Sequence, residues 1–204
     1  MEFYEAISRR HIAREWKKAD VSAETLERIL SAGFMAPTND HRRNWEFVVL
    51  RSRQEKETAL QFIKTWSAVQ EEKLAAAALE SVPKKMYAYA MPRQYTMLMD
   101  APYVVIPFFK DAGIFQAKSV NGLNSFASVW CVVENIFLAA TAEGLACSMR
   151  IPVGEEGSRV TEVLGAPQDY VMPCYIGIGY PAENAPVIEQ VDKSVKDALH
   201  YGKW

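Results

Sequence analysis

Arg9, Arg10, His11, Arg14, Lys17 and Lys18 fall within ten residues of one another near the start of the chain. A local basic cluster of this kind can grip phosphate, or it can simply cover a solvated face. The 204-residue chain as a whole has a formal net charge of -2 and a pI near 6.0, so any anion site has to be local. Trp16 is the single aromatic within the cluster, short of the interleaved series of a nucleic-acid surface, so nucleic acid is not expected as a partner. His11, His41 and His200 show no H-E-x-x-H or Cys/His ligand spacing, and no Walker or G-x-G-x-x-G loop occurs, so no zinc, P-loop or Rossmann chemistry is expected. Cys131, Cys147 and Cys174 are odd in number and lie in apolar surroundings, which suits reduced thiols in the core.

The elements that must position these residues are read from periodicity and breakers. Half of the residues are hydrophobic, and a chain this long buries roughly 70% of its unfolded surface, so one domain over 1–204 with a single core is expected. Residues 3–9 read as a short helix, and Ser22 caps a second in which Leu26, Ile29, Leu30 and Phe34 share a face. Residues 45–50, 101–106, 145–151 and 171–179 read as four strands. Residues 53–81 are mostly helix formers. Pro83 interrupts that region, and a further helical stretch over 86–100 breaks near Pro92. Residues 111–124 form a loop suited to covering a substrate. Residues 125–143 are apolar almost all round, a helix buried on most sides, with Gly144 placed to stop it. A short helix over 155–164 precedes the last strand, and Leu199, His200, Tyr201 and Trp204 make the chain end too apolar for a free tail. The expected fold class is α+β, a three-layer α/β/α arrangement around a mixed sheet. The longest apolar run, 101–109, is far short of the roughly 20 residues of a membrane helix. With no leader pattern at the N-terminus, a cytoplasmic protein without a membrane partner is expected.

Four motifs, in order along the chain, carry a resemblance. Residues 10–16 (R-H-I-A-R-E-W), 36–49 (A-P-T-N-D-H-R-R-N-W-E-F-V-V), 135–145 (N-I-F-L-A-A-T-A-E-G-L) and 200–204 (H-Y-G-K-W) resemble the opening, loop-and-strand, helix-and-turn and closing motifs of the FMN-dependent nitroreductase family. The resemblance implies a nitroreductase-like fold in an obligate, intertwined homodimer, with FMN sites built from both chains. By position it implies that Arg10 serves the FMN phosphate. Arg14 matches the cation beside the N1 and O2 edge of the flavin, where positive charge favours the anionic reduced ring. Pro37, Thr38, Asn39 and His41 match the loop that reaches the partner's FMN, and Met149, Arg150, Ile151 and Pro152 match the strand end passing over the ring. Gln94 falls where the family often has an Asn for the pyrimidine edge. His11 is either a cofactor contact or a surface histidine, and Thr38 and Asn39 equally suit an ordinary turn.

The chain departs from the family pattern in several places. Ile12 stands for the usual Ser, His41 for Asn, and Arg43-Asn44 for Gln-Pro. Residues 190–193 (Q-V-D-K) stand where many members carry a Lys-x-Arg phosphate clamp, leaving Lys193 as the one candidate cation there and Arg9 or Arg150 as substitutes. The implied activity is ping-pong hydride transfer from NAD(P)H through flavin N5 to a small acceptor of nitroaromatic, quinone or enoate type, with no catalytic side chain. Other relatives remove halogen or fragment flavin, and a flavin-binding or ligand-sensing dimer without turnover is the alternative. Residues 113–124 and 84–98 are expected to line or cover the pocket.

Overall fold

A strand apolar on both faces has to be covered on both sides. In the computed structural model, which describes residues 1–75, 81–111, 113–188 and 190–204, the apolar run near residue 103 forms β2 (Tyr103–Lys110), buried at every position but the last. Tyr103, Val105 and Phe109 join one core with Val132 and Ile136; Val104, Ile106 and Phe108 join another with Leu60, Ile63 and Tyr175. Side chains of this size stabilise by about 1.5–3 kcal/mol each when fully buried, so alternation along one strand anchors two cores.

Around β2 the sheet order is β1 (Trp45–Leu50), β2, β5 (Tyr175–Gly179), β3 (Ala146–Arg150), with β4 (Tyr170–Val171) paired to the end of β2. All pairings between these strands are antiparallel. The mixed character expected of the sheet reduces to one parallel bridge, Ile12 to Cys147. Helices α2 (Ala23–Gly33) and α6 (Asn124–Ala142) cover one face, while α3 (Arg53–Ala75), α5 (Thr96–Met99) and α7 (Glu156–Val163) cover the other. The α/β/α layering and the α+β class are as expected. Among the described residues one helical run, Val120–Ala142, is apolar and long enough to cross a bilayer by length and composition. Its α6 part supplies Val129, Val132, Ile136 and Ala140 to the core, which accounts for the apolarity.

Several boundaries move for local reasons. The single strand expected over 171–179 is split at Pro173, which lacks a donor, and four residues, 172–175, pass the three of Ile106–Phe108 between the two pairings. That gap also tolerates Pro107 inside β2, since the proline pairs with Phe47 on one side and with no strand on the other. Pro83 does not interrupt a helix but sits in the first turn of α4 (Val82–Ala90), where its missing N–H is harmless. Pro92 does break the next stretch, into a 3-10 turn (Pro92–Gln94) and α5. The expected helix over 53–81 is present to Ala75, and its last part lies partly outside the described residues. Ser22 caps α2 as expected, accepting the Thr25 N–H at 3.1 Å. Cys147 and Cys174 are buried free thiols, whereas Cys131 is exposed on α6 rather than in the core.

Lys56, buried on α3, donates through Nζ to the carbonyls of Ala101 and Pro102 and so pins the start of β2; its burial pushes the ammonium pKa down, opposed by Asp100 and Glu55. On β5 the same layer closes tightly: a Cβ on Gly179 would meet the Pro102 ring at 2.5 Å and Trp16 at 3.0 Å. Gly179→Ala is therefore expected to lower stability by about 1–3 kcal/mol through overpacking, read as a lower denaturation midpoint at unchanged m-value.

Candidate functional site

The basic cluster acquires a defined place because the extended chain around it is tied to the sheet. Ile12 bridges Cys147, Ala13 N–H donates to the Cys147 carbonyl at 2.9 Å, and Lys17 N–H donates to the Tyr180 carbonyl at 2.9 Å. Trp16 Nε1 donates to the Met97 carbonyl at 2.8 Å. Arg10, His11, Ile12 and Arg14 are thereby set along one wall of a cleft with a cavity volume of about 830 Å3, closed by Met86 of α4 and by Val187, Gln190 and Val191 of the tail. That volume lies in the usual range for small-molecule and cofactor sites, about 300–1,000 Å3.

Arg14 is the most constrained cation of the cleft. Its Cζ lies 5.8 Å from the centre of the Tyr89 ring, and its Nε is buried without a hydrogen-bond partner in the described structure. Burial pushes the guanidinium below its ordinary pKa, with Tyr89 acting against that shift and Arg93 adding to it. An arginine retains its charge through such shifts, so Arg14 places a poorly compensated positive charge at the cleft. Tyr89 donates to Glu15 at 3.0 Å, and Arg93 both pairs with Glu15 at 3.3 Å and stacks on the Tyr89 ring at 4.1 Å. Burial first, and then the Glu15 carboxylate, raises the Tyr89 phenol, which keeps it a donor. Arg10 is held only loosely, 3.9 Å from Glu134, and His11 Nδ1 lies 2.9 Å from the Arg9 carbonyl.

The other expected site residues fall in different places. Thr38 and Asn39 line a second, smaller hollow of about 140 Å3 with Ser125 and Ser128 at the start of α6. The Asn39 N–H donates to Ser128 Oγ at 3.0 Å. Asp40, His41 and Arg43 adopt left-handed backbone, with φ of 54°, 54° and 47°. Three such non-glycine residues in four positions mark a strained loop. Pro37 and His41 are exposed. Gln94 and Arg150 meet each other rather than the cleft. Gln94 Oε1 accepts from Arg150 Nη1 at 3.4 Å, while its Nε2 donates to the Ala90 carbonyl at 3.1 Å. Arg150 is buried in an ion pair with Glu156 (3.1 and 2.5 Å), stacked 4.4 Å over the Trp66 ring. Its Nε, Nη1 and Nη2 each donate within this cluster, and the side chain is buried rather than presented to the cleft. Met149 packs against the core, Ile151 is exposed and Pro152 is half-buried. Lys193 is exposed and lies outside the cleft lining, as do residues 113–124 of the expected cover, where the structure forms 3-10 turns at Ile114–Gln116 and Val120–Leu123. Tyr89, Arg93, Glu15, Trp66 and Glu156 were not singled out from sequence. The four-residue spacing of Tyr89 and Arg93 was the one local signal for their pairing.

The three-layer fold defines a class shared with known proteins. The model of the nitroreductase family matches residues 7–180, and the chain belongs to that family. An archaeal relative from Methanothermobacter thermautotrophicus, which bears a provisional name as an NADH dehydrogenase/NAD(P)H nitroreductase, is 24% identical over 100% of this chain and 88% of its own. Iodotyrosine deiodinase 1 of Mus musculus is 27% identical over 97% of this chain and 68% of its own length. A crystal structure of oxidized iodotyrosine deiodinase bound to FMN and 3-iodo-L-tyrosine shares the fold at a TM-score of 0.75 and 18% identity, covering 100% of both chains.

The Arg150–Glu156 pair generates a sharp expectation. Glu156→Gln removes the counter-charge of a guanidinium that stays buried, and breaking such a pair costs about 3–5 kcal/mol. Removing Glu57, which pairs with Arg53 on an exposed helix face at 2.8 Å, costs at most about 1 kcal/mol. Chemical denaturation of the two variants side by side checks the contrast.

Proposed function

We propose that this chain is an FMN-dependent oxidoreductase that takes hydride from NAD(P)H and passes it to a small organic acceptor. The observation that carries the reading is the cleft itself. It is of cofactor size, it brings Arg10, His11 and Arg14 together, and it leaves the buried Arg14 Nε without a partner. A phosphate-bearing, electron-accepting ring is the chemistry this donor set suits. Bound there, FMN would supply the two-electron chemistry at N5 that links donor and acceptor.

The work of the protein is then to bind and to orient. Arg10, half-buried in the cleft wall and only weakly held by Glu134, offers paired charge-assisted hydrogen bonds to a phosphate. Arg14 sets fixed positive charge where the ring gains negative charge on reduction. Tyr89, Glu15 and Arg93 hold the Arg14 surroundings in place, since each is already bonded to another member of that group. Ile151, exposed directly after β3, is suited to offer its backbone to the ring, with Met149, Pro152 and the Arg150–Glu156 pair fixing where that strand end lies.

The active form in this reading is a homodimer. Phe3, Tyr4, Met35, Leu199, Tyr201 and Trp204 are exposed in one chain, and the tail end, whose His200 and Trp204 rings stack at 4.4 Å, stays exposed among the described residues. A second copy would cover these residues and bring its Pro37, Thr38, Asn39 and His41 toward this cleft. Acceptors in scope are nitroaromatics, quinones and enoates, and the likeness to deiodinases adds halogenated phenols.

Three outcomes are expected. The purified protein, supplied with FMN, binds it, and anaerobic NADH or NADPH bleaches its visible absorption; bound flavin left oxidised by both would instead favour a ligand-sensing dimer. Arg14→Ala slows flavin reduction by on the order of 10²-fold, the scale for losing one preorganised electrostatic contact, measured by stopped flow. Light scattering gives twice the 23.0 kDa chain mass; a 23.0 kDa species that still turns over would overturn the dimer.

A further inference from the structure

A phosphate monoester carries a charge of roughly -1.5 to -2 at neutral pH, so Arg10 alone leaves it under-compensated in a partly enclosed cleft. The other candidate cations can be sorted by position. Arg150 is buried against Glu156 and Trp66. Lys193 is exposed and outside the cleft, while among the described residues those of the tail that form its wall, Val187, Ile188, Gln190 and Val191, carry no charge. Arg14 is committed at the Tyr89 end. Arg9 remains: it lines the same cleft beside Arg10, at the point where α1 (Phe3–Arg9) gives way to extended chain at Arg10. Its present partner is Glu5, at 2.8 Å in an exposed pair one helical turn away, and such pairs are the weakest class of ion pair and exchange readily.

We propose that Arg9 is the second phosphate-binding cation of this cleft, so that the phosphate grip comes wholly from the consecutive residues Arg9 and Arg10, with no part taken by Lys193. This rests on the FMN reading above. It makes the N-terminal segment do what a tail clamp would otherwise share, and it accounts for the uncharged Gln190 and Val191 in the cleft wall.

The test is the affinity of the flavin-free, full-length protein for FMN and for riboflavin, read by quenching of flavin fluorescence. The two ligands share the ring and differ in the phosphate. Arg9→Ala is expected to weaken FMN binding about tenfold, the loss of one charge-assisted contact, and to leave riboflavin binding unchanged. Arg9→Lys recovers part of the loss, Lys193→Ala changes neither ligand, and rising salt weakens FMN binding but not riboflavin binding. An unchanged FMN-to-riboflavin preference in Arg9→Ala, or a lowered one in Lys193→Ala, overturns the inference and leaves the FMN reading standing. Wild-type protein that binds neither flavin overturns both. Unchanged melting temperature of the variants separates lost contacts from lost folding.

Discussion

The pairing of an irregular N-terminal segment with the edge of the sheet is the constraint on which the site depends. Backbone donors and acceptors near the core have to be paired, and between residues 12 and 17 they are paired with Cys147 and Tyr180, far along the chain. The Ala182 N–H returns the contact by donating to the Glu15 carbonyl at 3.0 Å. In near-extended chain, alternate residues share a face. Arg10, Ile12 and Arg14 line the cleft together, with His11 beside them at its wall, while Ala13 is buried. Ile12, which replaces a hydroxyl residue of the family pattern, packs partly against the core. It exchanges a polar contact for firmer seating of the two arginines on either side.

Two buried or half-buried arginines show how the protein separates structural charge from charge kept for a ligand. Arg150 has a carboxylate, an amide oxygen and an indole face, so its burial cost is met within the fold. Arg14 has an aromatic neighbour and no carboxylate of its own, because Glu15 is engaged by Tyr89 and Arg93. The same physics that makes an unpaired buried donor costly makes it receptive: an anionic edge placed against Arg14 would recover what burial removed. A charge-paired cluster at the end of β3 and an unpaired cation beside α4 thus divide the two roles.

The dividing strand ties these local features to the fold. By sending alternate side chains into two cores, β2 fixes α6 on one face and α3 on the other, and through them the walls of the cleft. Glycines on β5 let the 95–102 turn approach closely enough for Trp16 to reach the Met97 carbonyl. The position of Arg14 depends indirectly on a strand whose residues contribute nothing to the chemistry.

The sequence by itself determined the elements with strong local signals. Among them are β1 at its observed bounds, the Ser22 cap, the apolar α6, the doubly buried β2 and the cationic segment whose motif spacing placed the chain in its family. These follow from periodicity, capping and breaker chemistry, which act over a few residues. Only the tertiary structure decided how individual side chains were spent. Arg150 and Gln94 were named by position in the family pattern, and in the structure they bond to each other and to Glu156 across 56 and 6 residues of chain. Lys193 occupies the position of the family's tail clamp and lies outside the cleft. Such pairings depend on which distant groups compete for the same charge once both are removed from water, and that competition has no periodicity to read.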